Sequence, residues 1–165
     1  MDPMPPEGSA RASSDRFPAL TVKDLEGRTL SFPDDLSISS GVALVAFARD
    51  HQSLVDSWVE WLEERTALDP HFSFFEIPAI SGRWSIARSF IDGGMARAIV
   101  DPIVLRRTLT YYGRLDRLTE PLGIEDRTTI SVIALGTHGK VLGRVMGAFD
   151  ATSARRLGQL LDQAA

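Results

Sequence analysis

No cysteine occurs anywhere in these 165 residues. That excludes disulfides, a catalytic thiolate and any metal site built on thiolate. Histidine is nearly as scarce. His51, His71 and His138 stand in three separate segments. They lack the clustered spacing that metal ligation needs, so no metal is expected. There is no glycine-rich phosphate loop, and Ser57 has no Gly-x-Ser-x-Gly turn around it. No cofactor and no serine-hydrolase chemistry are therefore expected. No apolar run approaches the ~20 residues of a membrane-spanning helix. A general positive field is missing too. The net charge of −4 argues against nucleic acid or a membrane surface as partner, because both call for a basic protein.

What is present suits one α/β domain. The length can bury a full core without staples. The 44% apolar and 24% charged fractions are ordinary for a globular chain. Residues 1–16 are rich in Pro, Ser and Ala and read as a disordered tail, with the domain over 17–165. Asp2, Glu7, Asp15 and the prolines there make a poor targeting helix, so a cytoplasmic location is expected over a mitochondrial one.

Ala19 to Phe32 alternates around Leu25-Glu26-Gly27-Arg28 and predicts a hairpin. Val42 to Ala48 is a continuous apolar run, which predicts a strand buried on both faces. Leu54, Val55, Trp58, Trp61, Leu62 and Leu68 fall at helical spacing, with Ser53 as the expected N-cap and Asp69-Pro70 as the stop. His71 to Ile80 predicts a second buried strand. A helix is expected around Trp84, interrupted at Gly93-Gly94 and restarted at Asp101-Pro102, with Leu105, Leu109 and Tyr112 on one face. Thr119 to Gly123 reads as a loop. Ile130–Leu135 and Lys140–Gly147 form a second hairpin through Gly136–Gly139. Asp150 caps a last amphipathic helix carrying Ala154, Leu157 and Leu161. Two strands joined through a helix imply a parallel right-handed crossover.

This order resembles the thioredoxin arrangement, with an N-terminal hairpin and an enlarged helical connection. FPALTVKDLEGRTLSF is similar to the entry hairpin of peroxiredoxins and membrane-tethered thioredoxin-type reductases, and VALVAFA to their first central strand. The resemblance implies cysteines at positions 52 and 55, or at 56. Gln52, Val55 and Asp56 stand there instead. The proline normally found in cis before the late strand corresponds to Thr128. A narrower stretch, PLGIEDRTTISVIALGTHGKV, resembles the mitochondrial ATP synthase assembly factor family, as does Ser57-Trp58 within SLVDSWVEWL. Leu122 to Arg127 carry most of that match, and Gly136, Leu142 and Gly143 depart from it. Members are thioredoxin-like, lack a working thiol motif and assist assembly, so the resemblance implies a binding function without catalysis.

Candidate functional residues follow from position. Arg49, Asp50, His51 and Gln52 occupy the loop after the central strand, where open α/β sheets bind ligands. Arg127 and Thr128 are expected opposite them. Two arginines at a helix start suit an anion or a carboxylate. Trp61, at the edge of its apolar stripe, is a candidate anchor for a partner. The other two tryptophans, Trp58 and Trp84, are expected in the core. The segment Gly82–Leu118 holds seven arginines against three acids, a basic patch suited to an acidic protein partner. The expected function is a non-enzymatic binding or assembly protein. The alternative is a thiol-independent enzyme or redox accessory holding a small anion among Arg49, Asp50, His51 and Arg127.

Overall fold

The computed structural model describes residues 15–79 and 106–164. The expected tail to residue 14, the helix around Trp84, its Gly93-Gly94 break, the Asp101-Pro102 restart and most of the Arg-rich connection lie outside the described residues.

Ten strands and α-helices follow one another in the described chain. They are β1 (Leu20–Lys23), β2 (Thr29–Phe32), β3 (Ser40–Ala46), α1 (Gln52–Leu68), β4 (Phe72–Pro78), β5 (Thr110–Tyr111), α2 (Leu115–Leu122), β6 (Ser131–Leu135), β7 (Val141–Met146) and α3 (Ala151–Ala164). A four-stranded sheet runs β4-β3-β6-β7, with β3 and β4 parallel and the other pairs antiparallel. A three-stranded antiparallel sheet runs β2-β1-β5.

The apolar run predicted as a doubly buried strand is β3, and its alternation divides the core. Val42 and Leu44 face α1 and α3, meeting Trp58, Leu62, Leu157 and Leu161. Ala43 and Val45 face the hairpin and α2, meeting Phe32, Leu118 and Leu122. Each fully buried aliphatic side chain contributes about 1.5–3 kcal/mol. The first hairpin turns where expected. Asp24, buried at the end of β1, accepts the N–H groups of Glu26 and Arg28 and the Arg28 Nε. Gly27 turns the chain at φ +89°, a conformation open to glycine. Asp150 caps α3 through the Ser153 N–H at 2.8 Å.

Three expectations are corrected. Ser53 is not the N-cap of α1. A 3₁₀ turn over Arg49–His51 leads directly into the helix at Gln52, and the Ser53 hydroxyl bonds back to the Asp50 carbonyl. Leu109 and Tyr112 do not share a helical face. Leu109 is buried and Tyr112 is 44% exposed. Between them Thr110–Tyr111 is a strand, because it pairs with Val22 and Lys23. Thr119–Gly123 is not a loop but mostly the end of α2. Leu115, Leu118 and Leu122 lie on one apolar stripe, and Pro121 falls in the final turn before Gly123 closes the helix at φ +66°.

Candidate functional site

The C-terminal end of β3, the start of α1 and the loop before β6 meet at one end of the sheet. Their connector is His51. Its side chain is buried. The Phe47 N–H donates to Nδ1 at 3.0 Å, and Nε2 lies 3.1 Å from the Thr128 carbonyl oxygen. An acceptor at Nδ1 puts the ring proton on Nε2, which donates to Thr128. Both nitrogens are consumed, so neither can take a proton from a ligand while the clasp is closed.

The loop opposite is held at further points. Asp126 accepts the Thr128 N–H at 2.8 Å and also the Thr128 hydroxyl. Those two bonds, the hydroxyl's first, hold the Asp126 carboxyl below its ordinary pKa. Arg127 donates to the hydroxyl of buried Thr119 at 3.0 Å. It does not ion-pair with its neighbours Glu125 and Asp126. Arg144 donates to the Gly123 carbonyl at 3.0 Å.

The sequence-predicted residues therefore divide. His51 and Thr128 are joined directly. Arg49, Asp50, Arg127 and Thr128 are exposed, and Gln52 is half-buried. They make an open polar face around a buried imidazole. The Gln52 amide donates to Asp56 at 2.9 Å and also bonds the side chain of Glu76 on β4. Burial, then the Asp56 carboxylate, push the Glu76 pKa up; Arg107 and the Gln52 bond oppose this. Among the described residues no group of acidic or histidine side chains could hold a metal ion.

Trp61 lies elsewhere. It sits three turns into α1, edge-on to Trp58 with centroids 5.8 Å apart, and Arg65 stacks over it at 5.3 Å. With Phe149, Arg155 and Gly158 it lines an open groove of about 440 Å³ between α1 and α3. Trp58 is fully buried, as expected of a core residue, whereas Trp84 lies outside the described residues.

Sequence reasoning missed Asp126, Thr119, Glu76 and Phe149. Asp126 was open to detection, because an Asp two residues before a Thr is an Asx-turn signal. Phe149 was too, since an apolar residue before an Asp N-cap occupies the staple position. Thr119 and Glu76 have no local signal. Their partners come from other elements.

No protein-family model matches the chain. No curated protein matches it. Solved structures do. BsSco, a member of the Sco family of cytochrome c oxidase assembly proteins, is similar at a TM-score of 0.60 and 12% identity, over 90% of this chain and 93% of its own. A thiol:disulfide interchange protein of the thioredoxin family from Chlorobium tepidum is similar at 0.55 and 15%, over 95% and 99%. The thioredoxin domain of a thiol-disulfide oxidoreductase from Bacteroides vulgatus is similar at 0.54 and 16%, over 91% and 98%. At such identities the likeness carries the fold alone, and the fold is thioredoxin-like without cysteine.

Proposed function

We propose that this chain is a non-enzymatic binding protein that uses the thioredoxin frame as a scaffold, with a protein partner held on the face around Arg49, Asp50, Gln52, Arg127 and Thr128. The observation behind this is the His51 clasp. Where the resemblance to thiol reductases and peroxiredoxins implies sulfur, this chain has Gln52, Val55 and Asp56, and the histidine beside them is buried with both nitrogens bonded. What remains exposed is charge and hydrogen-bonding capacity, which suits recognition more than reaction. The loop carrying Arg127 and Thr128 is fastened by Asp126, Thr119 and His51, and a pre-ordered surface loses less entropy on binding. The groove at Trp61 and Phe149 offers a second apolar anchor on another face.

Assistance to assembly of a membrane complex such as the ATP synthase is the most specific version. Its support is the Leu122–Arg127 resemblance. Affinity capture from native lysate tests both levels, with the wild type beside Arg49→Glu/Arg127→Glu. Partners retained by the wild type and lost from the variant support the scaffold, and ATP synthase subunits among them support the assembly version. Identical partners on both proteins, or none on either, reject the face.

A further inference from the structure

The other end of β4 carries a separate feature. β4 is the edge of the four-stranded sheet. Its alternation assigns each backbone group a side. The Ala79 N–H donates to Ala46 of β3, whereas the Glu76 carbonyl accepts from Leu109, away from β3. With a period of two, the N–H and C=O of Phe74 and the C=O of Phe72 also point outward. No described residue bonds them. Glu76 and Ala79 bridge to Thr108 and Tyr111, so among the described residues the strand is covered at its end and has no neighbour on that side at its start.

A groove of about 300 Å³ runs along that open stretch. Leu30, Leu36, Phe74 and Phe75 give it an apolar floor, and Arg28, Arg106 and Arg107 stand in its wall with no acidic residue among the lining. The Arg107 guanidinium lies 4.1 Å over the Phe74 ring. Arg28 and Arg106 share Glu26, each at 3.6 Å. Asp24 also accepts the Arg28 Nε, so two carboxylates serve these two guanidiniums, and among the described residues their terminal N–H groups make no hydrogen bond.

We propose that this groove takes an extended acidic peptide segment from a partner, which adds to β4 as a further strand. Backbone groups of Phe72 and Phe74 supply the pairing. The floor takes alternate apolar side chains, and the arginines take carboxylates. Such a partner answers both halves of the site. A neutral strand leaves the terminal N–H groups of Arg28 and Arg106 to water, and a compact anion leaves the strand edge open. The groove lies beside Thr66 near the end of α1 and so stands apart from the His51 face. Either site can fail without the other.

The test is fluorescence anisotropy with a fluorescein-labelled peptide of alternating valine and glutamate, set beside its valine–lysine analogue and versions N-methylated at every glutamate or at every valine. Saturable binding is expected for the glutamate peptide and at least about tenfold weaker binding for the lysine analogue. One N-methylated version should lose binding to a similar degree, because only one alternation faces β4. Arg106→Glu, at a side chain 60% exposed, should weaken binding about tenfold while leaving the circular dichroism unchanged. Ser73→Trp, from an exposed position, should block the groove. Absence of saturable binding overturns the proposal, as does binding indifferent to Arg106→Glu or to both N-methylations. So does saturable binding of decanoate without the peptide, which would make the groove a small-molecule site. A dimer that Ser73→Trp dissociates in sedimentation would assign the edge to a second copy instead.

Discussion

The Nε2 of His51 donates to the main-chain carbonyl of Thr128 across 3.1 Å, joining two loops that lie 77 residues apart in sequence. The same ring accepts the Phe47 N–H at the end of the central strand. Removing it leaves a donor and an acceptor without their partner in a buried setting, at a cost of about 1–3 kcal/mol. His51→Ala is expected to lower the urea midpoint accordingly and to speed amide exchange at Phe47. Unchanged protection at Phe47 would mean that the clasp does not hold the loops.

Glu76 gives a pH signature. Its folded-state pKa is raised, first by burial and then by Asp56. Between the ordinary carboxylate value and that raised value, the folded state keeps a proton that the unfolded state releases. Stability then falls as pH rises through this window. Glu76→Gln removes the ionisation and can still accept from Gln52. The variant should be more stable than the wild type near neutral pH, with the difference fading by about pH 4. Arg107 keeps Glu63 at 3.8 Å in the variant. A stability difference constant over that range would contradict the assignment.

Two glycines in the main sheet separate steric cases. A Cβ on Gly41 of β3 would stand 2.5 Å from the Ser73 carbonyl oxygen of β4, main chain that gives way only if the strands part. A Cβ on Gly143 of β7 would meet the tip of Leu160, a side chain that can rotate aside. Gly41→Ala is therefore expected to cost upwards of about 3 kcal/mol, and Gly143→Ala under about 1.5 kcal/mol. Chemical denaturation of the two variants side by side checks the order. Equal losses would show that β3 and β4 shift apart freely.

What the sequence disclosed was whatever local pattern determines. VALVAFA, by its length and its β-branched residues, reads as a strand with two apolar faces, and both core layers do pack against it. The turn at Gly27 and the cap at Asp150 rest on residues within a few positions of each other, and both were legible. β5 was not. Two residues make a strand there only because Val22 and Lys23 are beside them. α2 was hidden by Pro121, which reads as a breaker yet sits harmlessly in a last turn. At the candidate site, Arg49 to Gln52 and Thr128 could be placed near each other through the resemblance in element order. That His51 would turn inward and spend both nitrogens on distant backbone could not, since its partners belong to other segments. Trp61 was correctly suspected of being less buried than Trp58, but its groove is formed with α3, which no local pattern announces.

The Ser57-Trp58 pair, conspicuous in sequence for its resemblance, has a structural task that makes a final prediction. The Trp58 indole N–H donates to the Gly147 carbonyl at 2.9 Å, and the Ser57 hydroxyl accepts the Phe149 N–H at 2.9 Å. Both bonds fasten the short connection between β7 and α3 onto α1. Trp58 and Phe149 add an edge-to-face contact with centroids 5.2 Å apart. Trp58→Phe keeps an aromatic ring and loses the indole donor. Ser57→Ala loses the acceptor. Each should cost about 1–2 kcal/mol. Because each bond orders the backbone that the other uses, the second loss should come cheaper once the first is made, giving a coupling of about 0.5 kcal/mol or more in a double-mutant cycle. Strict additivity would mean that Gly147 and Phe149 are positioned independently, and that the connection is held by α3 packing instead of by α1.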